Sequence, residues 1–118
     1  MRFFHFIYSF RNQVKYMDFI DEINPSEVEL LLNSNKNLDI IDVREDEEVA
    51  LGMIEGAIHI PLTQIPYKLD ELSKGKHYVI VCRSGARSHM SASYLKKHGF
   101  KVSNMTGGML EWKGEVVI

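Results

Sequence analysis

An α/β fold with a mainly parallel sheet is predicted by three features of the chain. Beyond residue 17, short apolar runs alternate with longer stretches of helical patterning, the order that lays helices over a sheet. One run, Tyr78 to Val81 (YVIV), is β-branched with no polar interruption, as a central strand covered on both faces requires. The 118 residues are 45% hydrophobic, enough to bury the core of one domain and too few for a second.

The head, MRFFHFIYSFRNQVKYM, carries Arg2, Arg11 and Lys15, no acid, and an aromatic run from Phe3 to Phe10. That run is far short of the roughly 20 apolar residues that span a bilayer, and no small-x-small cleavage site follows it. Residues 1–17 are therefore expected to be an extension outside the core, with Met17 as an alternative start, rather than a targeting or anchoring segment. The folded domain is expected over residues 18–118, with no internal repeat, low-complexity tract or linker.

Asn24-Pro25-Ser26 followed by Glu27 and Glu29 marks a helix start, and Val28, Leu31 and Leu32 give that helix an apolar face until about Ser34. Leu38 to Val43 (LDIIDV) reads as a buried strand ending at a functional edge. Acid-rich Glu45 to Leu51 reads as one or two helical turns. Gly52 to Pro61 reads as a loop, a short strand over Ala57–Ile60 and a stop, and residues 62–73 as a short helical stretch. After the strand Tyr78–Val81, a helix is predicted from about Arg87 to His98, with Gly99 as its C-terminal cap. Phe100 to Met105 makes a further strand, and Gly107-Gly108 opens a last short helix in which Met109 and Trp112 read as core packing.

Charge excludes some functions. The formal net charge is only -2, so no global field favours nucleic acid or an anionic membrane surface. A single cysteine cannot close an internal disulfide, which favours a reducing, cytoplasmic setting. Histidines at 5, 59, 77, 89 and 98 show no metal-ligand spacing, so each reads as a surface or packing residue, with His59 the one expected to be partly buried.

That single cysteine is the informative residue. In open parallel sheets ligands bind beyond the carboxyl ends of the strands, and Cys82 is the first residue past YVIV. Cys82, Arg83, Ser84, Gly85, Ala86 and Arg87 must then turn the chain into a helix, and Gly85 relieves the curl. Successive backbone N–H groups in such a curl converge on one point and favour an anion there, adding to the helix dipole. A helix N-terminus with neighbouring arginines lowers a thiol from about 8.5 to roughly 3.5–7.5. Arg83 and Arg87 suit an oxyanionic substrate, and Ser84 and Ser88 add hydroxyl donors. The bland alternative is a small buried hydrophobe finishing a strand. Two arginines and a glycine directly after the cysteine argue against it.

CRSGARS after YVIV resembles the active-site loop of rhodanese-like sulfurtransferases. DVREDEEVALGMIEGAIHIP at 42–61 is similar to that family's signatures, with Asp42, Arg44, Glu48, Gly52, Gly56, Ala57 and Pro61 at matching positions, and GGMLEW at 107–112 resembles its closing Gly-Gly and Trp element. Met53 and Glu55 depart from the usual His and Pro. The resemblance covers about residues 22–116. It implies a rhodanese-like three-layer fold, with a mainly parallel sheet flanked by helices, and sulfane-sulfur transfer through a Cys82 persulfide without metal or organic cofactor. Asp42, Arg44 and Glu48 are then structural supports, and Arg83, Ser84, Gly85, Ala86, Arg87 and Ser88 bind the donor. The implied partners are thiosulfate or a persulfide as donor and, as acceptor, cyanide, a small thiol or a sulfur-relay protein.

Two rivals stand beside that expectation. A sulfur-carrier module would use the same cysteine without turning over small donors. A cysteine phosphatase or arsenate reductase would also cradle an anion, but related phosphatases have one more residue between Cys and Arg, and no acid lies inside this loop to protonate a leaving group.

Overall fold

The computed structural model describes residues 20–34 and 37–118; the extension expected over residues 1–17 lies outside the described residues. Five strands, β1 (Asp21–Ile23), β2 (Leu38–Asp42), β3 (Ile58–His59), β4 (His77–Val81) and β5 (Lys101–Met105), form one sheet in the order β1-β5-β4-β2-β3. Every ladder in that sheet is parallel. Helices α1 (Pro25–Leu32), α2 (Asp46–Val49) and α3 (Ala86–Lys97) flank it, with 3₁₀ segments at Leu62–Tyr67, Leu69–Glu71 and Gly108–Glu111. The expected mainly parallel sheet is thus wholly parallel among the described residues, and the antiparallel pairing of Met53 with Val117 is an isolated bridge outside it.

The side-chain period of two divides each central strand between two cores. Ile41 and Val43 from β2 and the residue after it, Tyr78, Ile80 and Cys82 from β4 and the residue after it, and Val102 from β5 pack with Ala92 and Leu95 of α3 and with Ile65. Leu38, Ile40, Val79, Val81 and Met105 pack on the opposite face with Val28 of α1, and Met109 and Trp112 lean on that second core as expected. Ile80 and Val79 are fully buried, each contributing about 1.5–3 kcal/mol by leaving water. This two-sided burial makes β4 a near-continuous apolar run and fixes its register. The same parity turns the Cys82 side chain toward α3.

Local chemistry sets the boundaries. Asn24 Oδ1 accepts from the Glu27 N–H at 2.9 Å while the Glu27 carboxylate accepts from the Asn24 N–H, a capping box that starts α1 just before Pro25. The stretch expected to be helical over residues 62–73 is two 3₁₀ pieces, because Pro66 has no N–H to extend an α-helical ladder. β1 was not foreseen. It is three residues long with Asp21 and Glu22 exposed, and it exists through its pairing with β5, from Asp21 opposite Ser103 to Ile23 opposite Met105, rather than through any pattern of its own. No described helix is long and apolar enough to cross a membrane.

Candidate active site

Cys82 follows β4 directly, at the carboxyl edge of the sheet, and the chain then curls through Arg83, Ser84 and Gly85 into α3 at Ala86. Gly85 has φ 112°, a left-handed conformation that strains any residue with a Cβ. The outer side of the curl is pinned by the last 3₁₀ segment. The Met109 N–H donates to the Cys82 carbonyl at 2.8 Å and the Leu110 N–H to the Arg83 carbonyl at 3.0 Å. Gly108 makes that approach possible, since a Cβ there would meet the Arg83 and Cys82 carbonyl oxygens at 2.4 and 2.5 Å.

With those carbonyls held outward, the loop amides face the sulfur. The Gly85 N–H donates to Sγ at 3.0 Å, and the Ser88 Oγ lies 3.2 Å from it. Cys82 is 1% exposed. Burial pushes its thiol up, but the Ser88 hydroxyl and the backbone N–H groups of Ser88, Gly85 and Ser84 outweigh that and hold it below the ordinary thiol value. The thiol therefore sits at the floor of a ring of dipoles, buried yet biased toward its anion.

The two arginines of the loop stand apart. Arg83 is exposed, and no ion pair with a described residue engages it. Arg87, expected to bind a donor, already has a carboxylate: its Nη1 and Nη2 donate to Glu48 Oε1 and Oε2 at 2.6 and 2.8 Å, joining α3 to α2. That fork holds the Glu48 carboxyl down at about 2 against the opposing effect of burial, with help from the Glu45 N–H and the charges of Arg87 and Arg44. Asp42 and Arg44 form a second fork, with Arg44 Nε 3.0 Å from Oδ1 and Nη2 2.8 Å from Oδ2 of a fully buried Asp42. Arg44 Nη2 also donates to the Gly52 carbonyl at 2.8 Å, and its own carbonyl meets His59 Nε2 at 2.7 Å, so the half-buried His59 braces this turn.

Gly56, Ala57 and Pro61 lie on the segment around β3, and the hydrogen bonds to the sulfur come from Gly85 and Ser88 instead. Asn104 is a residue beside the thiol that the sequence reading passed over, and Gly108, read there only as opening the last short helix within the closing element, proves to shape the loop. Asn104, on β5, places its Oδ1 beside the Ser88 hydroxyl and its Nδ2 3.3 Å from the Gly85 carbonyl. One signal could have found Asn104: the parity of β5, which puts residue 104 on the α3 face with Val102. An apolar cavity of about 280 Å³ runs along α3 between Met90, Tyr94 and the segment Leu62–Pro66, but it does not include Cys82. Among the described residues no cluster of three or more His, Cys, Asp or Glu is arranged to hold a metal.

A lone amide-cradled thiol at the carboxyl end of a central parallel strand is the distinguishing feature of this α/β scaffold. A family model of the rhodanese-like domain matches residues 24–115, and the chain belongs to that family. It is 48% identical over 96 residues to "Putative sulfurtransferase YtwF" of Bacillus subtilis, covering 81% of this chain and 93% of that one. It is 40% identical over 97 residues to "Putative sulfur carrier protein YrkF" of the same organism, where the match spans 81% of this chain and about half, 52%, of the relative. The crystal structure of a rhodanese-like domain protein from Staphylococcus aureus superposes with a TM-score of 0.80 at 38% identity, over 84% of this chain and 98% of that one.

Two expectations follow from this geometry. Gly108→Ala combines φ +60° with a clash against the Arg83 backbone, and will lower Tm by about 5–10 °C in a thermal melt; an unchanged Tm would show that the loop is not pinned there. The depressed Glu48 carboxyl gives stability that is present above its unfolded value of 4.5 and lost as pH falls toward about 2. Glu48→Gln will therefore cost about 1 kcal/mol at pH 7 in urea unfolding, and the gap from the parent protein will close below pH 4.5. A gap independent of pH would contradict the ion pair.

Proposed function

We propose that this protein is a sulfurtransferase that carries sulfane sulfur as a persulfide on Cys82. The observation that carries this reading is the set of N–H groups from Gly85, Ser84 and Ser88 acting on one buried sulfur. That arrangement suits an anion the size of a sulfur atom and requires no neighbouring base.

In the forward half, the Cys82 thiolate attacks the outer sulfur of thiosulfate or of a persulfide. The donor's S–S bond breaks, and sulfite or a thiol leaves with the electron pair while a new S–S bond joins Sγ to the transferred atom. The negative charge then rests on the outer sulfur, where loop amides from Arg83 to Ser88, those of Gly85 and Ala86 included, stabilise it without reorganising. Arg83, exposed at the lip, is the cation left to meet a donor's oxyanion. Arg87, bound to Glu48, holds α3 against α2 and adds its charge to the field at the thiolate. The sequence holds no second cysteine, so an external thiol or cyanide takes the sulfur in the return half. A free nucleophilic thiol of this kind suits a reducing cytoplasm.

The similarity to a protein named as a sulfur carrier favours a second reading, in which Cys82 is loaded by a partner protein and small donors turn over poorly. One experiment separates the two. On incubation with thiosulfate, intact-mass analysis will find one added sulfur atom, removed by cyanide or glutathione and absent in Cys82→Ser. Repeated turnover of thiosulfate with cyanide marks the enzyme, and loading only from a protein persulfide marks the carrier. A protein that gains sulfur from neither source would overturn both.

A further inference from the structure

Ser88 presents a proton-counting problem. Its hydroxyl has one proton, and three acceptors lie within reach: Asn104 Oδ1 at 2.5 Å, the Gly85 carbonyl at 3.1 Å and Cys82 Sγ at 3.2 Å. Ser88 is fully buried, Cys82 is 1% and Asn104 4% exposed, so none of the three borrows a partner from bulk solvent.

The orientation of Asn104 decides the competition. Its Nδ2 donates to the Gly85 carbonyl at 3.3 Å. The reversed amide would set Oδ1 against that carbonyl, acceptor against acceptor, so Oδ1 faces Ser88 and takes its proton. Ser88 then offers the sulfur a lone pair, which suits a protonated thiol donating S–H to Oγ and opposes a thiolate. When the thiol ionises, its proton leaves to solvent, and the Ser88 hydroxyl must rotate its own proton from Asn104 to Sγ. Asparagine is a poor strand residue and a costly one to bury. Its place on β5, opposite Ile80 and on the α3 face, is explained by this contact.

We propose that Asn104 is a positioning residue for the nucleophile: its amide oxygen competes with the Cys82 sulfur for the single Ser88 proton and so limits how readily the thiol gives up its own. Asn104 thereby restrains the acidity that the backbone amides confer. The charged groups around the thiol are Arg83 in the loop, Arg87 from α3 with Glu48 of α2 bound to it, and the Asp42–Arg44 pair at the end of β2; β5 contributes no charge on this face. None of them is hydrogen-bonded to the Ser88 hydroxyl, whose partners are Cys82, Gly85 and Asn104, so their field is common to the parent protein and to neutral variants at 104.

The test is the pH midpoint of the ultraviolet thiolate absorbance, with Cys82→Ser as blank, for the parent protein, Asn104→Val, Ser88→Ala and the double variant. Removing the competitor frees the Ser88 proton for sulfur, so Asn104→Val will titrate about one pH unit lower, and the double variant will match Ser88→Ala alone. An Asn104→Val midpoint at or above the parent's, or a shift that survives without Ser88, would overturn the proposal. Infrared spectra decide the matter without any change at 104: below the midpoint the parent's S–H stretch will be displaced to lower frequency relative to Ser88→Ala, and coincident bands would also overturn it. Neither readout uses a sulfur donor, so both stand apart from the transfer reading.

Discussion

The contest at Cys82 between burial and hydrogen bonding is the constraint on which the rest of the site depends. A sulfur with 1% exposure has lost its water, and burial alone would keep it protonated and inert. The Ser88 hydroxyl and the amides of Ser88, Gly85 and Ser84 reverse that outcome, the curl presenting those N–H groups to one point. They face inward because the carbonyls of Cys82 and Arg83 are taken on the outside by Met109 and Leu110, which follow a glycine without room for a Cβ. A turn more than twenty residues away in sequence therefore shapes the electrostatics at the thiol.

The ion pairs do a different task. Buried or half-buried forks such as Arg44–Asp42 and Arg87–Glu48 add little net stability, since desolvation offsets most of the attraction. Their contribution is placement. Arg44 ties the end of β2 to the Gly52 carbonyl, and Glu48 reaches from the short α2 to Arg87 on the first turn of α3, so two segments with few apolar contacts of their own are set beside the loop. The parallel sheet supplies the rigid part, because β4 lies between β2 and β5 with both faces covered. Cys82, one residue past such a strand, is anchored to that frame.

Much of this was legible in the sequence, and what was not has identifiable causes. YVIV, LDIIDV and the helix after the loop carried their own periodicity, so β2, β4 and α3 fell within a residue or two of their expected limits. β1 could not be read, because three residues with two exposed acids hold no pattern and depend on a partner eighty positions away. The helical reading of residues 62–73 gave too regular a segment, since Pro66 and the short turns select 3₁₀ geometry. The sequence reading singled out Cys82 from its position after the strand, and the structure places it at that carboxyl edge with the Gly85 N–H on its sulfur. The engagement of Arg87 by Glu48 was not, because the two lie 39 residues apart and charge by itself does not tell a ligand-binding arginine from a bracing one. Asn104 was missed for a related reason: its chemistry arises only when β5 is laid beside β4.

The central claim, that the Ser88 hydroxyl and the main-chain dipoles together outweigh burial at Cys82, is tested most directly by a ¹³C NMR titration of the labelled Cys82 Cβ in the unmodified protein. The account predicts a midpoint below the free-thiol value of about 8.5. A midpoint at or above that value would mean that burial prevails, and the cradle would then have no role in activating the sulfur.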